Sequence, residues 1–293
     1  MNWTDWKPLK LTPGLDRASL AETLDGGQSF RWIQDPADTW TGQWSDNVVR
    51  IRISEEGHLS WSAPTELIAP DTEARLLAYL GAGSNWDSLI DQLPWRSDPH
   101  LRMAIEAFPG LRILRQPMEE ALLGFLCSAT KRIVQIKQMC NLLSRSVGSE
   151  IAPGFWRLPP FAEMARCDPA ALGGCLLGFR RKYILGTAQF MTERPGWLEE
   201  TEALPYSEAK ERMMLLPGVG EKIADCVLLF GAGKFEAFPV DTWISRVLGD
   251  RYGLTGWNNR QLAEFGRVHF GSSAGLAQQF IFSWERRFTR SGV

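Results

Sequence analysis

Cysteine is scarce in this chain of 293 residues. The five present, Cys127, Cys140, Cys167, Cys175 and Cys226, form an odd, scattered set with no C-x-x-C pair. That pattern excludes a disulfide framework and offers structural zinc no ligand spacing, so reduced thiols are expected. Also missing is any run approaching the ~20 apolar residues that span a bilayer. The opening stretch MNWTDWKPLKLTPGLD has neither the basic start nor the continuous apolar segment of a secretory signal. The expectation is an intracellular protein with no membrane association, in cytoplasm or nucleoid if bacterial and in the nucleus if eukaryotic. Charge of either sign is not in excess, the formal net charge being −2. Nothing global therefore announces a polyanionic partner, and any such site must be local, drawn from TKRIVQIK, FRRKY or ERRFTR. No internal repeat and no low-complexity tract is present.

What the chain does have is an ordinary core-forming composition, 44% hydrophobic with 23% charged residues, at a length that suits two domains or one elaborated domain. Residues 28–61, QSFRWIQDPADTWTGQWSDNVVRIRISEEGHLSW, are rich in Trp, Val, Ile and Thr and are broken by the turn clusters DPAD, SDN and EEG. Period-two alternation from Val48 to Ile53 completes the signature of an antiparallel meander. From about Gln116 onward the apolar spacing becomes helical, in MEEALLGFLCS, KRIVQIKQMCNLLSRSVG, SEAKERMMLL, EKIADCVLLFG and later segments separated by Pro and Gly. The predicted architecture is α+β: an N-terminal antiparallel β-sheet domain over 1–114, then an all-α region over 115–293, the change falling near PGLRILRQP.

One short stretch carries unusual chemistry. SEAKERMMLL predicts an amphipathic helix, LPGVG turns the chain with Gly218 and Gly220 both free to take positive φ, and EKIADCVLLF begins a second helix, giving a helix-hairpin-helix over 207–231. Such a turn exposes backbone N–H groups at a helix N-terminus, a phosphate site that needs no basic side chain. Lys222 stands in the first turn of that helix, where the dipole opposes its charge. The placement breaks a local rule without structural gain, and an amine there reads as a nucleophile. Nineteen residues on, FPVDTWISRVL places Asp241 at a helix N-cap. A lysine amine and a carboxylate brought into one cleft can attack a carbon that develops positive charge.

LPGVGEKIADC followed by PVD resembles the helix-hairpin-helix and Gly/Pro-Asp signature of DNA base-excision glycosylases, and most closely the eukaryotic-type 8-oxoguanine DNA glycosylases. GGQSFRW, PGLRILRQP, LCSAT, LGFRRKY and LAQQFIFS fall in that family's order, so the resemblance spans most of the chain. It implies a bifunctional glycosylase and AP lyase acting as a monomer on damaged double-stranded DNA, with a sheet-containing N-terminal domain. Lys222 would attack C1′ of the flipped nucleotide and hold the sugar as a Schiff base, and Asp241 would stabilise the oxocarbenium charge. Gly27 would offer its carbonyl to the N7–H that 8-oxoguanine has and guanine lacks. Gln278 would bond the base's Watson–Crick edge, with Cys226 and Phe282 sandwiching its ring. No cofactor would be required, although the carbonyls of Met214, Leu216 and Val219 would bind a monovalent cation, K or Na, that bridges to a DNA phosphate held by the hairpin at Gly218 and Gly220.

The chain departs from the family where the estranged cytosine is read. Thr130 stands at the family's first asparagine, Gln135 at its arginine and Trp243 at the histidine after the P-V-D aspartate, while Phe179 keeps the aromatic wedge and Arg180 the last cytosine-reading arginine. Relaxed opposite-base discrimination is the consequence. Iron–sulfur relatives need four cysteines after the aspartate, and none follows Cys226, so a cluster is excluded. The alternatives are a glycosylase for another damaged purine, alkylated or oxidised, and a DNA-binding hairpin module without catalysis, which would have no need of Lys222 and Asp241 together.

Overall fold

The computed structural model describes residues 1–289. Its N-terminal portion holds five strands, β1 (Lys7–Pro8), β2 (Trp32–Gln34), β3 (Trp40–Trp44), β4 (Asn47–Ile53) and β5 (Leu59–Ser62). They form one antiparallel sheet in the order β1-β5-β4-β3-β2. The register is fixed by tryptophan. Trp32 pairs with Gly42, and a Cβ at Gly42 would fall 2.3 Å from the Trp32 ring, so only glycine lets that indole lie flat on the neighbouring strand. Helices α1 (Arg17–Asp25) and α2 (Thr72–Tyr79) cover the sheet through Leu20, Leu24, Leu76 and Tyr79. The buried Trp32 indole donates to the Tyr79 hydroxyl at 3.2 Å, and that hydroxyl donates to Ser29 at 3.1 Å, satisfying the polar atoms of this core.

Beyond the sheet the chain is helical, as the periodicity predicts, but helices begin well before Gln116. α2, α3 (Trp86–Asp91) and α4 (Pro99–Ala107) all precede it, and Trp86, Leu101 and Phe108 are buried in the same core as the later helices. The start signals of α3 and α4 are local and strong: Asn85 accepts from Ser88 N–H, and Asp98 from His100 and Leu101 N–H ahead of Pro99. They are too short to display a helical period. The helical half also carries a small hairpin, β6 (Glu150–Ala152) with β7 (Phe155–Trp156), too short to alternate visibly in sequence.

At the centre lie α5 (Met118–Leu126) and α11 (Glu221–Phe230), both buried almost all round. Gln116 N–H donates to the Phe230 carbonyl at one end and Lys222 reaches Ser128 at the other, so the two run antiparallel and bring the end of α5 to the mouth of α11. Among the described residues no helix is long and apolar enough to cross a membrane.

One seam between sheet and helices is pH-sensitive. Glu120 on α5 accepts the Ser45 N–H at 2.6 Å, and burial pushes its carboxyl up to about 7 from an ordinary 4.5. The folded state therefore holds this proton more tightly than the unfolded chain. The stability it contributes is full below about pH 4.5 and is lost as pH rises through about 7. Thermal melting from pH 5 to 8 is expected to show wild type losing Tm relative to Glu120→Gln across that window, whereas parallel curves would count against it.

Candidate active site

The hairpin is built as the sequence pattern suggests. Helix α10 (Tyr206–Met213) leads into the turn, Leu216 accepts from Val219 N–H at 3.1 Å, and α11 follows. Gly218 has φ +80°, and a Cβ there would lie 2.5 Å from the Tyr183 side chain, so both conformation and space demand glycine. Gly220 differs from expectation: at φ −97° it is the extended N-cap of α11, because the chain has already reversed at Gly218. The turn is braced from behind by α8 (Arg180–Glu193), whose Thr187 hydroxyl donates to the Pro217 carbonyl at 3.3 Å. A second brace was not legible in sequence. Asp225, buried on α11, accepts from the Tyr206 hydroxyl at 2.7 Å and from Lys210 at 3.0 Å, clamping the two helices together.

Lys222 lies half-buried at a cleft of about 460 Å³ bordered by Ser128, Gly220, Val240, Arg260 and Ala263. Its amine donates to the Ser128 hydroxyl at 3.2 Å and sits 5.4 Å from the centroid of the Phe125 ring. Lys210 is held in an ion pair; Lys222 makes none among the described residues. Asp241 caps α12 (Thr242–Tyr252), accepting Ile244 N–H at 2.8 Å. Cys226, one turn beyond Lys222, feels both charges. Burial raises its thiol to about 12, Lys222 opposes that rise, and the carboxylates of Asp225 and Asp241 add to it. At neutral pH it is an uncharged thiol, suited to lie against a neutral ring.

Of the residues assigned to the base, Gly27 lies against Phe282, and Gln278 shares a helix with Phe282. Gly27 has φ +85°, and a Cβ there would lie 3.4 Å from Ile133 and 3.6 Å from Phe282. The loop is held by its neighbours: Gln279 donates to the Gly26 carbonyl at 3.1 Å, while Gln28 bridges the Arg112 carbonyl and the Leu114 N–H, each at 2.9 Å. Gln278, on α14 (Ala274–Phe288) with Phe282, is only 6% exposed, and its Oε1 has no hydrogen-bond partner among the described residues. A buried amide oxygen without a donor costs about 1–3 kcal/mol, which a ligand N–H would relieve.

The positions assigned to the opposite base are engaged with the protein itself. Arg180 does not project outward as a reading arginine would. It is 3% exposed, and its guanidinium donates to the Leu177 carbonyl at 3.2 Å, to Thr130 Oγ1 at 3.0 Å and to the Ala129 carbonyl. That bracing holds Thr130 in the left-handed region at φ +55°. Gln135 closes a capping box on α6 (Ile133–Ser146) by accepting Arg132 N–H at 3.1 Å. Phe179 is 53% exposed and packs edge-to-face with Tyr183, and Trp243 lies beneath the Arg246 guanidinium at 4.5 Å. Ser128, Asp225 and the Arg260–Glu221 pair at 3.2 Å on the cleft mouth were not singled out from sequence, since each acquires its role from a partner distant in the chain.

A glycine-turned hairpin with a lysine bonded to a hydroxyl on its second helix, a helix-capping aspartate beyond it and a sheet domain before it defines the class as the helix-hairpin-helix DNA glycosylases. The family described as 8-oxoguanine DNA glycosylase, N-terminal domain, matches residues 10–122. The chain is 30% identical to the N-glycosylase/DNA lyase OGG1 of Arabidopsis thaliana, over 94% of this chain and 79% of that protein. It is 28% identical to the N-glycosylase/DNA lyase of Saccharomyces cerevisiae, over 85% and 72% respectively. Its fold matches the 8-oxoguanine glycosylase/lyase of Clostridium acetobutylicum, solved with double-stranded DNA containing cytosine opposite 8-oxoG, at a TM-score of 0.85 and 26% identity, covering 98% of this chain and 100% of that one. The chain belongs to the OGG1-type N-glycosylase/DNA lyase family.

Proposed function

We propose that this protein is a bifunctional base-excision glycosylase and AP lyase that removes 8-oxoguanine from duplex DNA, as a monomer and without a required cofactor. The observation that carries the reading is the Lys222 amine, half-buried at the cleft and bonded to a neutral hydroxyl instead of a carboxylate. An amine clamped as Lys210 is would have to break an ion pair before it could attack; Lys222 has only to leave Ser128.

In this mechanism the amine of Lys222 bonds to C1′ as the C1′–N9 bond breaks, the electron pair leaves with the base, and N9 takes up a proton. Asp241, held by its bond to Ile244 N–H, stabilises the positive charge that develops on the sugar. Loss of the amine proton and opening of the sugar ring, with O4′ taking up a proton, give the Schiff base; removal of a C2′ proton then expels the 3′ phosphate and cuts the strand. The Gly27 carbonyl accepts the N7–H of the lesion, and the idle Gln278 Oε1 takes a donor from its Watson–Crick edge. Cys226 and Phe282 flank the ring. The hairpin N–H groups at Gly218 and Gly220 take a phosphate. The carbonyls of Met214, Leu216 and Val219 are hard oxygen donors of the kind an alkali cation selects, and Leu216, which accepts Val219 N–H, keeps its second lone pair.

Discrimination against bases other than cytosine opposite the lesion is weak in this reading. A threonine hydroxyl and a neutral glutamine replace two of three readers, and Arg180 is committed to Ala129 and Thr130. Each lost contact is worth ~1–3 kcal/mol of discrimination, so two, adding, reduce the cytosine preference by a factor of roughly thirty to twenty-five thousand. Single-turnover excision of 8-oxoguanine placed opposite C, A, G and T tests both claims. Excision with similar rates is the expected outcome. Absence of excision from every duplex would reject the activity, and a steep cytosine preference would reject the relaxed specificity alone.

A further inference from the structure

Leu176 violates two rules at once. Its φ is +57°, in the left-handed region that glycine occupies freely and a leucine does not, and its side chain is 56% exposed. It is not loosely placed. Cys175 before it and Leu177 after it are both buried, Cys175 Sγ lies 3.5 Å from Ser146 Oγ, and the Leu177 carbonyl accepts both the backbone N–H of Arg180 at 3.1 Å and its Nη1 at 3.2 Å. Held from both sides, the turn cannot swing its leucine inward. Gly178, at φ +56°, completes the bend and presents Phe179, the other exposed apolar side chain of the loop. In the free protein a glycine at 176 would relieve strain and remove exposed apolar surface, so the leucine has no evident gain there.

The loop is tied directly to the reaction centre. The guanidinium of Arg180 that donates to the Leu177 carbonyl also donates to the Ala129 carbonyl and Thr130 Oγ1, next to Ser128, which holds the Lys222 amine at 3.2 Å. A rigid turn so connected can hold two apolar side chains in register with the cleft. Leucine and phenylalanine are among the side chains that proteins insert between base steps.

We propose that Leu176 is a second wedge, a positioning residue that enters the base stack beside Phe179 and keeps the duplex open while the damaged nucleotide occupies the pocket. The inference rests on the glycosylase reading and deepens it. Desolvation of the leucine by the stacked bases is the gain that offsets its strained backbone.

The test compares wild type with Leu176→Gly and Leu176→Met in three measurements: Tm, single-turnover excision of 8-oxoguanine, and fluorescence of a 2-aminopurine next to the lesion, which rises when the stack opens. Leu176→Gly is expected to melt no lower than wild type yet to excise about ten- to a hundredfold more slowly, the loss matching one buried leucine side chain, with a diminished fluorescence rise. Leu176→Met, which keeps a long apolar side chain, should restore most of both signals. Wild-type rate and fluorescence in Leu176→Gly would overturn the proposal, as would a lowered Tm with activity lost in proportion, since that identifies an ordinary packing residue. If wild type fails to excise 8-oxoguanine, the function reading falls, and the 2-aminopurine signal on the same duplex still decides whether Leu176 opens the stack.

Discussion

Borohydride added during turnover is expected to trap wild-type protein on DNA as a stable covalent adduct and to trap none of Lys222→Gln. Reduction captures only an imine, and among the residues at the cleft Lys222 is the amine aimed at it, donating to Ser128 Oγ without an ion pair. Glutamine is one atom shorter but keeps an N–H donor and removes the charge, so the hairpin should survive the change; its amide nitrogen is not nucleophilic. Base excision should fall with the adduct, because the same attack expels the base. An undiminished adduct in Lys222→Gln would move the nucleophile elsewhere, and Lys210, clamped to the buried Asp225 at 3.0 Å, would be an unsuitable successor.

The second large effect is expected at Asp241, where structure and chemistry can be separated by one atom. Asp241 accepts Ile244 N–H at 2.8 Å and so caps α12. Asparagine caps a helix about as well as aspartate, so Asp241→Asn should leave Tm nearly unchanged. What it removes is a negative charge that helps hold the Cys226 thiol up. Loss of such a preorganised electrostatic stabiliser costs on the order of 2–4 kcal/mol of barrier, or about thirtyfold to a thousandfold in single-turnover excision. Near-wild-type excision in Asp241→Asn would reduce the residue to its cap. A large fall in Tm with little kinetic change would point to packing instead.

Much of this architecture was legible in the chain because it depends on neighbours in sequence. The tryptophan-rich strands alternate and end at turn clusters, the N-cap at Asp241 needs only the next three residues, and the reversal at Gly218 needs a residue free to take positive φ. The short helices α2 to α4 were harder to read. Six to nine residues give too little periodicity to declare a helix, and their burial depends on partners distant in the chain, the sheet for α2 and the helical core for α3 and α4.

Local sequence thus determined the order of sheet and helices, the hairpin and the residues able to carry nucleophile and cap, since backbone preference and side-chain chemistry act over a few positions. Tertiary packing decided what each of those groups faces. It turned Arg180 inward to Ala129 and Thr130, fifty residues away, gave Lys222 a hydroxyl from the end of α5, buried Asp225 between Tyr206 and Lys210 and left Gln278 Oε1 without a donor. These are properties of partners distant in the chain. A buried polar group is defined by who reaches it, and only the packed structure brings those partners within hydrogen-bonding range.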